Sequence, residues 1–266
     1  MTLPVSQTLL VCPEKGILHI TLNRPESRNS MSLQMVQELQ ATFEWAANNA
    51  IRAVVLRGAG GHFCAGGDIR DMMTIRQQAT DNPQAYQHFN RTFGHLLTQV
   101  NNAPFVVVTV LEGAILGGGF GLACVSDVAL AKADAQFGMP ETRLGIIPAQ
   151  IAPFIVQRLG LTQARRLALL GMRINGEAAQ KIGLVHEVYA DNEGLEAALA
   201  RVIHDLQQCA PHATQVTKAL LQQVGHQPLE QLLDDAAEAF ACAIQSAEGM
   251  EGGMAFVQKR AASWVL

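Results

Sequence analysis

An α/β fold is what this sequence predicts, and three observations predict it. Short apolar runs of strand character alternate with stretches of helical periodicity as far as about residue 190. Two of those runs end in glycine-rich turns that open into helices, Phe63-Cys64-Ala65-Gly66-Gly67-Asp68 and Gly113-Ala114-Ile115-Leu116-Gly117-Gly118-Gly119-Phe120-Gly121. The last 70 or so residues carry helical pattern alone. This alternation argues for stacked β-β-α units around one core. It divides the chain into an α/β core over 1–192 and a helical region over 193–266, expected to pack back on the core or against a neighbour.

The elements follow in order. Thr8-Leu9-Leu10-Val11, the turn Pro13-Glu14-Lys15-Gly16, and Ile17-Leu18-His19-Ile20-Thr21-Leu22 read as strand, turn, strand. Asn23 to Ser30 is an exposed loop by composition. A helix starts near Ser32, with Leu33, Val36, Leu39, Phe43 and Ala46 on one face. Ala53-Val54-Val55-Leu56 is a buried strand, and the first glycine turn follows it. Ile69 to Asp81 reads as a polar, Met-containing helix leading into a loop. Tyr86, Phe89, Phe93, Leu96, Leu97 and Val100 mark an amphipathic helix. Phe105 to Val110 is the second buried strand, followed by the second glycine turn and a short strand at Val128-Ala129-Leu130-Ala131. From Pro148 the pattern is mostly helical, with one extended piece at Leu184 to Val188. Terminal helices are predicted near 193–208, 212–224, 228–246 and 249–262.

Composition narrows the class. The chain has 266 residues, 49% hydrophobic and 16% charged, enough to build a sizeable core. A net charge of -4 gives no electrostatic ground for nucleic acid or an anionic membrane as partner. Cys12, Cys64, Cys124, Cys209 and Cys242 are scattered and form no C-x-x-C pair, which argues against a disulfide framework or structural zinc. No signal-peptide pattern opens the chain, and no apolar run approaches the roughly 20 residues of a membrane span. A cytoplasmic setting is expected.

The chemistry lies in the glycine turns. A strand, a glycine turn and a helix start leave backbone N–H groups pointing into open space. Two such turns brought together can hold one developing negative charge on an oxygen. A carboxylate, Glu141, follows in Phe137-Gly138-Met139-Pro140-Glu141, placed to move protons on carbons next to a polarised carbonyl. Gly117-Gly118-Gly119-Phe120-Gly121-Leu122 does not fit the dinucleotide pattern, because Leu122 stands where its last glycine belongs.

These pieces resemble the crotonase (enoyl-CoA hydratase/isomerase) superfamily over nearly the full chain. The matching residues are Asn23-Arg24-Pro25, Phe63 to Ile69, Gly113 to Gly119, Phe137 to Glu141, Gly145-Ile146-Ile147-Pro148, Ala178 with Gly183-Leu184-Val185, and Gly252, Phe256, Lys259 and Arg260. Each is weak alone; their order and spacing are specific. The resemblance implies a spiral of β-β-α units, a helical trimerisation region with trimers able to pair as hexamers, and acyl-CoA thioester substrates. It implies no metal and no cofactor beyond the CoA carried by the substrate. It places the oxyanion N–H groups at Gly67 and Gly118 and a catalytic acid/base at Glu141. It puts CoA against Ala65, Gly66, Asp68, Ile69 and Gly117, its phosphates near Ser27 and Arg28, and Phe256 and Lys259 around the same site, from the same or an adjacent subunit.

The chain departs from the family at one point. The second glutamate of typical hydratases would sit at position 121, and here that residue is Gly121. Gln150, in Pro148-Ala149-Gln150-Ile151, is a candidate polar helper. The surrounding pattern is similar to the bacterial methylglutaconyl-CoA and isohexenylglutaconyl-CoA hydratases, of leucine and acyclic terpene breakdown. Their branched substrates carry a second carboxylate. Arg143 is either a residue that holds that acid or an anchor of its loop through an ion pair.

Plainer roles stand beside these. Cys64 reads as a packed residue, His62 as an exposed loop histidine, Glu112 as structural and Asp127 as a local cap or ion-pair partner. The Met72-Met73 pair lines an acyl pocket or belongs to the core. The function expected is hydration of a branched glutaconyl-CoA. The alternatives are a Δ3,Δ2-enoyl-CoA isomerase with one base, and an acyl-CoA- or RNA-binding protein with little catalysis.

Overall fold

The computed structural model describes residues 2–80 and 82–265, so Asp81, at the end of the predicted polar helix, lies outside the described residues. β1 (Leu9–Glu14) and β2 (Ile17–Leu22) form a hairpin closed by Lys15 and Gly16, both at positive φ. A two-residue turn of that kind matches the right-handed twist of the strands. α1 (Leu33–Ala47) starts at Ser32, whose side chain accepts from Met35 N at 3.2 Å, and it buries Met35, Val36, Leu39, Phe43 and Ala46. β3 (Ala53–Gly58), α2 (Ile69–Gln78), α3 (Ala85–Asn101) and β4 (Val106–Leu111) complete the first half.

The second half runs through β5 (Ala114–Leu116), α4 (Gly118–Cys124), β6 (Val128–Lys132) and β7 (Gln136–Gly138). It continues with α5 (Ala152–Leu170), bent at Gly160, then β8 (Arg173–Asn175), α6 (Gly176–Lys181) and β9 (Glu187–Tyr189). α7 (Asn192–Gln208), α8 (Pro211–Gln223), α9 (Leu229–Gln245) and α10 (Ala247–Gln258) end the chain. β9 falls slightly later than the extended piece predicted at Leu184 to Val188.

The main sheet has six strands in the order β1-β2-β3-β4-β6-β9, parallel except for the β1–β2 pair. Its central strands are buried on both faces, as parallel strands covered on both sides must be. Val54, Leu56 and Val107 face α1 and α3, while Val55, Val108 and Val110 face Leu195, Ala198 and Leu199 of α7. Each such side chain contributes about 1.5–3 kcal/mol on full burial. α7 therefore covers the second face of the sheet. α7, the first helix of the region expected over 193–266, thus packs on the core sheet, while α8, α9 and α10, like α5, present large apolar side chains to solvent, among them Leu221, Phe240, Met254 and Phe256, with Leu161 and Leu169 on α5.

A second sheet, β5-β7-β8, carries the second glycine turn. Cys64 N donates to Ala114 O and Leu116 N to Cys64 O, both at 2.9 Å, so the first glycine turn lies directly beside β5. Met31 N donates to Gly66 O, and Asp68 N to Met31 O, fixing the other side of that turn. The loop before α1, expected to be exposed, is pinned from inside: Asn29 is fully buried at φ +55, and its Nδ2 donates to Ala59 O and His62 O.

Candidate active site

The two glycine turns and the carboxylate meet in one pocket. Gly67, Gly118 and Glu141 line a cavity of about 130 Å³ together with Met31, Phe93 and Ile147. Gly118 is the first residue of α4, so its N–H has no partner in the preceding turn of helix. Among the described residues neither Gly67 N–H nor Gly118 N–H donates a hydrogen bond to another residue. The helix start behind Gly118 adds positive partial charge at the same place. Gly117 holds this geometry at φ +49, and a Cβ there would stand 2.9 Å from Glu141 Oε1. Only glycine lets the carboxylate approach the turn this closely.

Glu141 opens a short helical turn over Glu141–Leu144. Its Oε2 is buried and has no hydrogen-bond partner among the described residues. Burial pushes its carboxyl above the ordinary value, and only its own backbone N–H opposes that. A carboxylate whose proton affinity is raised by burial, beside two free N–H groups, is equipped for proton transfer at a carbon next to a polarised carbonyl.

Position 121 does not face open pocket space. A Cβ on Gly121 would fall 2.4 Å from Ile151 Cγ2 and 3.3 Å from Leu97 Cδ1. Ile151, 3% exposed, fills the place a longer side chain would need. Gln150 does line the pocket, but its amide is engaged: Nε2 donates to Asn90 Oδ1 at 2.9 Å, and Oε1 accepts from Arg91 Nη1 at 3.2 Å.

Arg143 is not among the residues lining the pocket; it anchors its loop, as in one of its two expected roles, but through a carbonyl rather than an ion pair. Its Nε donates to Leu170 O at 3.3 Å, and its Cγ lies 2.7 Å from where a Cβ on Gly171 would be. It closes the C-terminal end of α5, where the free carbonyls attract a cation, and forms no ion pair among the described residues. His62 is half-buried, with Nδ1 accepting from Ala114 N at 3.1 Å. Cys64 is fully buried and its thiol is pushed up to about 11 by that burial, so it is no nucleophile. Met72 lines the pocket, while Met73 is 65% exposed. Asp127 pairs with Lys218 at 2.7 Å.

Several of the residues matched to CoA are joined to one another around the first glycine turn. Asp68 caps α2 through Arg70 N at 2.8 Å and pairs with Arg24 at 2.6 Å. Burial raises its carboxyl, but Arg24, Arg70 N–H and Ser30 outweigh this and hold it below the usual range. Ala65 N donates to Arg28 O at 3.0 Å, which joins the Ser27–Arg28 loop to Gly66 and Gly67; Ile69 is exposed beside them. Phe256 and Lys259 are exposed at the end of α10 and are not part of the pocket lining. Sequence reading missed Asn90, and it assigned Phe89 and Phe93 to the apolar stripe of a helix, whereas all three line the pocket. Their spacing on one face of α3 was the available signal.

A family model described as Enoyl-CoA hydratase/isomerase matches residues 13–265. The structure of Pseudomonas aeruginosa AtuE superposes with a TM-score of 0.95 at 56% identity, covering 98% of this chain and 100% of that one. An enoyl-CoA hydratase/isomerase from Marinobacter aquaeolei gives a TM-score of 0.94 at 55% identity, over 97% of this chain and 99% of that one. The 2,3-dehydroadipyl-CoA hydratase of Escherichia coli K12 is 32% identical, over 95% of this chain and 96% of its own length.

Proposed function

The chain belongs to the enoyl-CoA hydratase/isomerase family and is an enoyl-CoA hydratase, and we propose that its substrate is a branched glutaconyl-CoA, either 3-methylglutaconyl-CoA or isohexenylglutaconyl-CoA. One observation carries the mechanism: a buried, unpartnered carboxylate, Glu141, faces the cavity lined by the free N–H groups of Gly67 and Gly118. The thioester oxygen accepts from both N–H groups. Charge that develops on it as the β-carbon is attacked is then stabilised, each donor being worth about 3–4 kcal/mol of barrier. The Glu141 carboxylate takes a proton from water as the water oxygen bonds to the β-carbon. The same carboxyl then delivers a proton to the α-carbon, and the thioester carbonyl reforms. One acid/base suffices because the two transfers are sequential.

The second carboxylate of the substrate is supported by the sequence pattern around Glu141 and by the named substrate of the E. coli relative, a thioester of a dicarboxylic acid. We read CoA as lying along Ala65, Gly66, Asp68 and Ile69, with its phosphates near Ser27 and Arg28. A homotrimer, alone or paired as a hexamer, would cover the exposed apolar side chains of α8 to α10 and bring Phe256 and Lys259 to a CoA site. The reading uses no metal or redox cofactor and no nucleic acid. No described helix is long and apolar enough to cross a membrane. A cytoplasmic location fits the scattered free thiols.

The test is a substrate panel followed by loss of enoyl-thioester absorbance: crotonyl-CoA, 3-methylglutaconyl-CoA and an isohexenyl analogue. Rapid loss with the glutaconyl thioesters and slow loss with crotonyl-CoA is the expected result. A single carboxylate also suits a Δ3,Δ2-isomerase. Turnover of a 3-enoyl-CoA without water uptake, with no hydration of any 2-enoyl-CoA, would replace the proposal with that reaction.

A further inference from the structure

The pocket is apolar apart from Glu141 and two amides, Asn90 and Gln150. Those amides are tied to each other and to a cation. Gln150 bridges them, donating to Asn90 and accepting from Arg91 Nη1. Arg91 forms no ion pair among the described residues. Gly94, one turn further along α3, makes the cluster possible. A Cβ there would lie 1.9 Å from Gln150 Oε1 and 2.6 Å from Arg91 Nη1. Glycine in the middle of a helix costs about 0.5–1 kcal/mol relative to alanine, so its presence under these two groups has to be offset by what they do.

Arg91 is exposed and does not itself line the pocket, but its guanidinium, without a carboxylate partner among the described residues, is tied to the lining residue Gln150, which makes it a site for an anion on a ligand that reaches past the amides. Arg suits this better than Lys because its planar fork can meet a carboxylate with two hydrogen bonds. We propose that Arg91, fixed by Gln150 across Gly94, is the specificity-determining residue that pairs with the second carboxylate of a dicarboxylic enoyl-CoA. This rests on the glutaconyl-CoA reading above. Asn90 Nδ2, whose neighbouring Oδ1 is occupied by Gln150, is the second donor to that carboxylate. Gln150 acts as a positioning residue, and Arg143, at the far end of α5, takes no part.

The test compares wild type, Arg91→Gln and Arg91→Lys on 3-methylglutaconyl-CoA and on crotonyl-CoA, with kcat and KM resolved. Loss of one charge-assisted pair is expected to lower kcat/KM on the glutaconyl thioester about 10–100-fold, mostly through KM. The crotonyl-CoA value should stay within about twofold, because uniform binding through CoA is untouched. Arg91→Lys should fall between, and Gly94→Ala, which displaces the cluster while keeping its charge, should resemble Arg91→Gln. A wild type that prefers the glutaconyl thioester while Arg91→Gln keeps that preference overturns the Arg91 assignment alone. Equal losses on both thioesters overturn it too, as a merely structural effect. A wild type indifferent to the second carboxylate overturns both this inference and the substrate reading.

Discussion

Replacing Gly121 by alanine adds one methyl group, and the structure says where it must go. Its carbon would stand 2.4 Å from Ile151 Cγ2 and 3.3 Å from Leu97 Cδ1, with Ile151 and Leu97 3% and 0% exposed. Carbon atoms pack best at about 3.5–4.0 Å, so the overlap with Ile151 is roughly 1 Å or more. Overpacking of this kind costs about 1–3 kcal/mol. For a chain of this size that is a drop in Tm of about 2–4 °C per kcal/mol. Ile151→Ala alone removes buried methyl groups and costs about 2–5 kcal/mol. In the double variant the new methyl occupies space that Ile151 has vacated. The double-mutant cycle is therefore expected to show a favourable coupling of about 0.5–3 kcal/mol, read from urea unfolding at one fixed protein concentration. Strict additivity, or a Gly121→Ala variant as stable as wild type, would refute the claim that Ile151 has taken the space of a second carboxylate.

Other outcomes follow from the buried groups. Burial raises the Glu141 pKa above its ordinary value of 4.5, so the folded state favours the protonated form and loses stability as pH rises through that raised pKa. Glu141→Gln should accordingly be more stable than wild type at neutral pH by about 1 kcal/mol, with the difference closing below the ordinary value, in thermal melts across pH. Asp68 runs the opposite way. Its pKa is lowered overall, so its contribution is present above 3.8 and is lost as pH falls through the depressed value. Asp68→Asn should cost about 2 kcal/mol at pH 7 by leaving Arg24 without its partner, and the deficit should shrink in acid. Cys64 and Cys124, pushed up by burial to about 11 and about 12, should resist a thiol reagent at pH 8 until the chain is unfolded, while exposed Cys12 and Cys209 react in the native state.

The main sheet was legible because its strands are continuous apolar runs, Val54-Val55-Leu56 and Val106-Val107-Val108 among them. α1 and α3 were legible from their apolar stripes. β5, β7 and β8 were not, since three residues each give no period to count and each includes or adjoins a glycine. The loop at Asn23 to Ser30 has an exposed composition, yet Asn29 is buried because its amide satisfies backbone carbonyls that composition cannot reveal. The last predicted helix ran four residues too far: α10 stops at Gln258, where Lys259 turns left-handed at φ +53. Glu141 and the two glycine turns were readable as motifs. The filling of position 121 by Ile151, the seat of Arg143 on α5 and the Asn90–Gln150–Arg91 cluster all depend on contacts between segments distant in sequence, which local patterns do not encode.

The most direct test of the mechanism is the initial rate of 3-methylglutaconyl-CoA hydration by wild type and by Glu141→Gln at saturating substrate. With Glu141 as the sole acid/base, kcat should fall by about 10²–10⁴-fold while the variant remains folded and still binds a non-reactive acyl-CoA with affinity close to wild type. A Glu141→Gln variant that hydrates the thioester at the wild-type rate would contradict the account.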